Sequence, residues 1–87
     1  GNAPNPCHGS TSVLFRGPAY LRDVVMHVYD LTGRRVMTSR LEHSVDAAGY
    51  RRADVELSLI PGCYIYRLEA VCEGRTVVSD AARLICK

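Results

Sequence analysis

The sequence contains no tryptophan and one phenylalanine, and its aromatic residues amount to only 7%. It also lacks any apolar run approaching the ~18 residues of a membrane-spanning helix, so such a helix is excluded. The sequence also has no large excess of charge of one sign, because eleven basic and nine acidic residues leave a net charge of +2. This balance does not indicate nucleic-acid or membrane binding. Residues 1–6 are polar and turn-forming, which excludes a signal peptide there and leaves a cytosolic chain or a piece of a longer exported precursor.

Short segments of alternating apolar and polar residues dominate the rest of the sequence and predict β-strands. No segment repeats apolar residues at helical spacing over more than two turns. Prolines at positions 4 and 6 make residues 1–9 an extended lead-in, because proline has no backbone N–H and cannot continue a helix. With 87 residues and 47% hydrophobic content, the chain fits one small domain. We predict an all-β antiparallel sandwich with strands at 11–15, 21–29, 34–41, 53–57, 63–71 and 76–86.

The period of two also predicts which side chains face the core. Val24, Met26 and Val28 share one face of the second strand, with His27 on the solvated face. On the fifth strand Tyr64, Tyr66 and Leu68 face inward, and each tyrosine hydroxyl reaches the rim. The turn from Asp30 to Gly33 closes a hairpin over 21–41, and Gly74-Arg75 fits a type II′ turn before the last strand.

Enzymatic and cofactor sites are not indicated. There is no glycine-rich phosphate loop, no G-x-S-x-G and no paired-carboxylate spacing. No motif supports a catalytic pair of Cys7 or Cys72 with His8, His27 or His43. No C-x-x-C occurs, so zinc is not expected, and no cofactor is predicted. The pairs Arg34-Arg35 and Arg51-Arg52 are interpreted as solvated strand residues, with an anion-binding patch as the alternative.

The four cysteines predict two disulfides, although reduced, buried thiols remain an alternative. Cys63 and Cys72 lie at opposite ends of one strand, too far apart for the ~7 Å that a bridge allows between Cα atoms. With the last turn centred between Gly74 and Arg75, Cys63 falls opposite Cys86. The expected bridges are therefore Cys63–Cys86 and Cys7–Cys72.

Three segments together resemble one family, the type A C-terminal sorting domains of type IX secretion cargo. Residues 4–11 resemble its "PNP-x-x-G-x-T" opening, residues 28–36 its "VYDLxGRxV" hairpin, and residues 59–68 its "LPAGVYxxRL" segment. The chain is also similar to the immunoglobulin-like module of flagellar hook-capping proteins. It departs from the sorting family's pattern at Cys7 and Cys63, and at residues 80–82, where the family often has a basic residue. The matching positions include Pro4, Asn5, Pro6, Tyr29, Asp30, Gly33, Arg34, Pro61, Gly62 and Tyr64.

The resemblance implies a seven-stranded immunoglobulin-like sandwich over 10–87, placed after an N-terminal cargo domain of the same exported precursor. Type IX secretion machinery would recognise it at the outer membrane, and the domain would then be removed or exchanged for a surface anchor. The protein would pass through the periplasm to the cell surface or the medium. The candidate translocon contacts are Arg83, Leu84, Ile85 and Lys87 in the last strand.

The alternative is a non-catalytic spacer or binding module of a surface enzyme or adhesin. Glycan-binding modules use exposed aromatic platforms, and this chain has no tryptophan. An exposed line of Tyr20, Tyr29 and Tyr50 would favour that function.

Overall fold

The structure, a computed structural model, describes residues 2–3, 9–17, 21–45 and 48–87. Its strands are β1 (Asn2–Ala3), β2 (Ser10–Arg16), β3 (Arg22–Asp30), β4 (Arg35–Arg40), β5 (Ser44–Val45), β6 (Tyr50–Glu56), β7 (Gly62–Cys72), β8 (Arg75–Val78) and β9 (Ala82–Cys86). Seven of the nine have four or more residues. The predicted all-β fold is confirmed.

Two antiparallel sheets form the sandwich. Sheet A has the order β1-β2-β6-β5, and sheet B the order β4-β3-β7, with β8 and β9 both pairing with β7. In the lettering of immunoglobulin domains these orders read A-B-E-D and C′-C-F-G, with β8 and β9 as the two halves of strand G. The chain visits them in alphabetical order, so the topology is immunoglobulin-like.

The core lies between the two sheets and is built from alternate residues of their strands. On β3 the predicted inward residues Val24, Met26 and Val28 are all buried. Tyr64 and Tyr66 on β7 are buried as well, as predicted. Sheet A contributes the short side chains of Val13, Ala53 and Val55, which allow the large side chains of sheet B to fill the layer.

Tyr64 also fixes the corner between the sheets. Its hydroxyl donates a 2.6 Å hydrogen bond to the carbonyl of Ile60, four residues upstream. A tyrosine at the start of strand F that bonds back to the E–F corner is the tyrosine corner of immunoglobulin-like domains. The corner itself turns at Pro61 and Gly62, where proline cannot donate to a strand ladder.

The last turn differs from the predicted one. Its two central residues are Glu73 and Gly74, since Cys72 pairs with Arg75. Both have positive φ, 52° and 76°, as in a type I′ turn. The predicted turn at Gly74-Arg75 is therefore wrong by one residue.

This turn predicts a stabilising substitution. Glutamate at a left-handed position is strained, whereas Asn-Gly is the preferred type I′ pair. Glu73→Asn should raise the free energy of unfolding by about 0.5–1 kcal/mol, measured by urea denaturation. Glu73→Ala serves as the control and should give no gain. An Asn variant no more stable than the Ala variant would contradict the turn assignment.

The return strand is interrupted between β8 and β9. Ser79 forms two hydrogen bonds with the backbone of Leu68, both at 2.8 Å. The Ser79 N–H donates to the Leu68 carbonyl, and the Ser79 hydroxyl accepts from the Leu68 N–H. Residues 79–81 on one side oppose 67–68 on the other, which is one extra residue and therefore a bulge. The predicted continuous strand 76–86 is thus two strands in two registers.

The expected Cys63–Cys86 bridge is not formed, because the register places Cys63 opposite Ile85. Cys63 consequently lies on the exposed face of sheet B and Cys86 on the buried face. Side chains on opposite faces of a sheet cannot join without moving the backbone. Cys72 is also a thiol in the structure. The expected Cys7–Cys72 bridge involves a residue outside the described ranges.

Candidate functional site

Two of the segments that resemble the sorting family meet at one end of sheet B. Asp30 at the end of β3 is the register partner of Tyr64 on β7, and Tyr64 is the partner of Leu84 on β9. One row across three strands therefore joins the "VYDLxGRxV" hairpin, the "LPAGVYxxRL" segment and the last strand. We call this end of sheet B the motif end. Pro4, Asn5 and Pro6 lie outside the described residues.

Asp30 organises the β3–β4 turn at the motif end. Its Oδ1 accepts hydrogen bonds from the Thr32 backbone N–H at 2.9 Å, the Thr32 hydroxyl at 2.5 Å and the Arg34 N–H at 3.0 Å. These bonds lower the pKa of the carboxyl below its ordinary value, the Thr32 hydroxyl contributing most. Gly33 has a φ of +89°, a conformation that other residues rarely adopt. The matched residues Asp30 and Gly33 thus have structural roles.

The four candidate contacts of the last strand divide between the two faces of the sheet. The Leu84 side chain is 0% exposed in the core, so it cannot touch a partner while the domain is folded. Arg83 lies on the outer face and is exposed, as is Lys87 beyond β9, and Ile85 is half-buried. The structure therefore leaves Arg83, Ile85 and Lys87 as surface candidates and assigns Leu84 to the core.

The outer face of the motif end carries an apolar ridge formed by Leu31 and Ile65. The Leu31 side chain is 69% exposed on the turn, and Ile65 is 36% exposed in the middle of β7. A shallow hollow lies on each side of this ridge, and both hollows are lined by both ridge residues. The first, about 260 Å³, is lined by Tyr29, Asp30, Leu31, Gly33, Ile65 and Arg67, and the second, about 340 Å³, by Leu31, Cys63, Tyr64, Ile65, Arg83 and Ile85.

Arginines surround the Leu31–Ile65 ridge. Arg83 on β9 is the direct register partner of Ile65, and Arg67 lies two residues further along β7. On the other side, Ile65 pairs with Tyr29 on β3, which pairs with Arg35 on β4. Arg67 lines the first hollow and Arg83 the second, and Arg35 lies on the neighbouring strand β4. The guanidinium groups of Arg35, Arg67 and Arg83 form no hydrogen bond or ion pair with any residue that the structure describes. Sequence reasoning missed this arrangement, because it depends on the pairing of distant strands.

His27 was predicted to be solvated but is largely covered, with a side chain 14% exposed. Its Nε2 lies 3.0 Å from Glu69 Oε2, and its Nδ1 lies 3.4 Å from Thr38 Oγ1. The pair spans β3 and β7 on the outer face, and Thr38 continues it to β4. The ring therefore joins three neighbouring strands, a role that strand periodicity alone does not reveal.

The arginine pairs also differ from the simple solvated interpretation. Arg51 is only 5% exposed, facing the interior at the edge of the sandwich. Arg52 lies outside and donates to Ser12 Oγ at 3.1 Å and Asp54 Oδ1 at 3.4 Å. Ser12 donates to Asp54 at 2.6 Å, and this bond, followed by the charge of Arg52, lowers the Asp54 pKa. Arg34 and Arg35 are exposed, as predicted.

The tyrosines do not form one platform. Tyr29 lies on the outer face of sheet B, whereas Tyr50 lies on the outer face of sheet A, where the guanidinium carbon of Arg16 sits 4.5 Å from its ring centre. Tyr20 is outside the described residues.

In the described ranges no group of three or more His, Cys, Asp or Glu side chains could hold a metal ion. The same ranges contain no helix long and apolar enough to cross a membrane.

Comparison with known proteins gives a likeness of fold. No protein-family model and no curated protein matches the sequence. The structure of CopC from Methylosinus trichosporium OB3b superposes with a TM-score of 0.60 over 99% of this chain and 88% of that chain, at 16% identity. The shared feature is the β-sandwich. At this identity the likeness concerns the fold and carries no function to this chain.

Proposed function

We propose that the chain is a sorting domain of type IX secretion cargo, which the outer-membrane translocon recognises as a folded unit. The observation that carries the proposal is the row Asp30–Tyr64–Leu84, which unites separate matching segments at one end of sheet B. In this proposal the N-terminal cargo domain of the precursor and the secretion machinery are the partners. The domain travels through the periplasm and is removed or exchanged for a surface anchor afterwards.

The exposed side of the last strand supplies the recognition groups in this proposal. Arg83 and Lys87 are both exposed and lie at the motif end. Leu84 lies on the other face of β9, where it holds the strand onto the core. Removal of the last four residues would therefore unfold the strand as well as remove the contacts, so point substitutions give the sharper test.

The test is an export assay. The chain is fused behind a signal peptide and a reporter enzyme in a host with type IX secretion, and reporter activity is measured in periplasm, on cells and in medium. We expect export of the wild-type fusion and periplasmic retention of Arg83→Glu/Lys87→Glu, because reversed charges oppose docking.

The matched control is Arg22→Glu/Arg75→Glu, which makes the same charge change at the other end of sheet B, where both residues are exposed. It should be exported like the wild type. Retention of the wild-type fusion in the periplasm would refute the sorting function and leave the spacer module. Equal export of both double variants would remove the last strand from recognition.

A further inference from the structure

We infer that the Leu31–Ile65 ridge and its two hollows form a docking surface for an acidic segment of a partner protein, one whose apolar side chains alternate with carboxylates. The inference concerns the chemistry of a partner and rests on the surface itself rather than on the secretion proposal. Its binding assay contains no secretion machinery, so the two proposals fail separately.

The apolar part of the surface has no role in the sandwich core. Leu31 sits on the β3–β4 turn with most of its side chain in water, although turns ordinarily carry polar residues. Ile65 points away from the core, which Tyr64 and Tyr66 on either side of it fill. Both residues line each of the two hollows. An apolar ridge between hollows within a polar rim is typical of an interaction site.

The charge of the surface selects an acidic partner. Arg67 and Arg83 line the hollows, and Asp30 is the one carboxylate among the described residues of that lining. Arg34 follows on the turn, with its Nε 3.6 Å from Asp30 Oδ2. The lining of the hollows is therefore net positive, with Arg67 and Arg83 against Asp30, and the exposed Arg35 on β4 adds a further positive charge nearby. Asp30 offers little to a partner cation, because Thr32 and Arg34 already donate to it.

Arginine is also suited to this role by its chemistry. Its planar guanidinium binds carboxylates through two parallel hydrogen bonds and is less strongly hydrated than lysine. Arg67 and Arg83 stand on different strands, one at the rim of each hollow. A partner segment with a carboxylate next to each apolar side chain could therefore satisfy both arginines while it fills both hollows.

An anionic membrane is the other surface that basic and apolar groups could meet. Membrane-binding segments concentrate 4–8 lysines or arginines in one stretch of chain. Here the cations are arginines on three strands around concave hollows, a shape that fits side chains better than a flat headgroup layer. We therefore favour the protein partner and include vesicles in the test.

The test uses a fluorescein-labelled ten-residue peptide in which leucine alternates with glutamate, titrated with the full chain while fluorescence anisotropy is measured. We expect saturable binding that weakens with added NaCl, since the charges are exposed. Arg67→Glu/Arg83→Glu should weaken binding at least about tenfold, and Arg22→Glu/Arg75→Glu should leave it unchanged. Methyl NMR shifts should map binding to Leu31 and Ile65.

Two control peptides separate the contributions. Replacing each glutamate of the peptide with lysine should abolish binding, because like charges repel. Replacing each leucine with serine should abolish binding, because the apolar contacts are lost. Equal binding of either control, equal weakening by both double variants, or binding to phosphatidylglycerol vesicles without peptide binding would overturn the inference. Should the charge reversal unfold the chain by circular dichroism, Arg67→Gln/Arg83→Gln makes the same test and should also weaken binding.

Discussion

Leu84→Ala should lower the free energy of unfolding by about 2–5 kcal/mol. Leu84 is 0% exposed, and it is one of the two largest among the fully buried side chains, with Met26. It lies opposite Tyr64 and is the central residue of the five that form β9. Truncation to alanine removes its buried methyl groups and leaves a cavity that the paired strands cannot collapse around. Small domains have only about 5–15 kcal/mol in total, so much of the stability is lost.

The matched control is Leu31→Ala, which makes the same chemical change at a side chain 69% exposed to water. It should alter the free energy of unfolding by no more than about 0.5 kcal/mol. Urea denaturation followed by circular dichroism gives both values. A Leu84 variant as stable as the Leu31 variant would show that β9 does not pack as the structure places it.

Tyr64→Ala should cost about 3–5 kcal/mol, because it removes a buried ring and the tyrosine corner together. The ring is packed in the core between the sheets. The hydroxyl donates a hydrogen bond to the Ile60 carbonyl and thereby fixes the backbone that leads into β7. Tyr64→Phe keeps the ring and should cost only about 0.5–1.5 kcal/mol, so the pair of variants separates packing from hydrogen bonding.

Tyr29→Phe is the control for the loss of a hydroxyl. Tyr29 lies on the outer face, and its hydroxyl has no hydrogen-bond partner within the described ranges. Thermal and urea unfolding should therefore show a change within about 0.5 kcal/mol. If Tyr64→Phe were no more costly than Tyr29→Phe, the corner hydrogen bond would contribute nothing to stability.

These stability variants also sharpen the export experiment. Leu84→Ala would reduce export by unfolding the domain, whereas Arg83→Glu/Lys87→Glu leaves the core side of β9 unchanged. Export that fails in a double variant whose unfolding midpoint matches the wild type points to a lost contact. Protein that is retained because it unfolds would instead show a lowered midpoint.

The limits of sequence reasoning are clearest in the last third of the chain. Residues 76–86 predict one strand, and strand structure is indeed found at both ends of that stretch. The bulge at Ser79, however, reverses the alternation: even-numbered residues face outward in β8, whereas Leu84 and Cys86 face inward in β9. A single extra residue moves every later side chain to the other face. The last turn lies one residue earlier than predicted, which shifts the register by two residues, and the bulge shifts it back by one. Cys63 therefore pairs with Ile85, and Cys86 faces inward, so the expected cysteine bridge cannot form.

The sequence by itself located six strand regions and determined the inward faces of β3 and β7 and the all-β sandwich, because a period of two and turn residues are local features of the chain. Only the tertiary structure decided what depends on neighbours across the sheet. It buried Leu84 and Arg51, paired His27 with Glu69, and assembled Leu31, Ile65, Arg67 and Arg83 into one surface. Those residues come from separate strands, and their register is set by long-range pairing and by a bulge that local patterns do not encode.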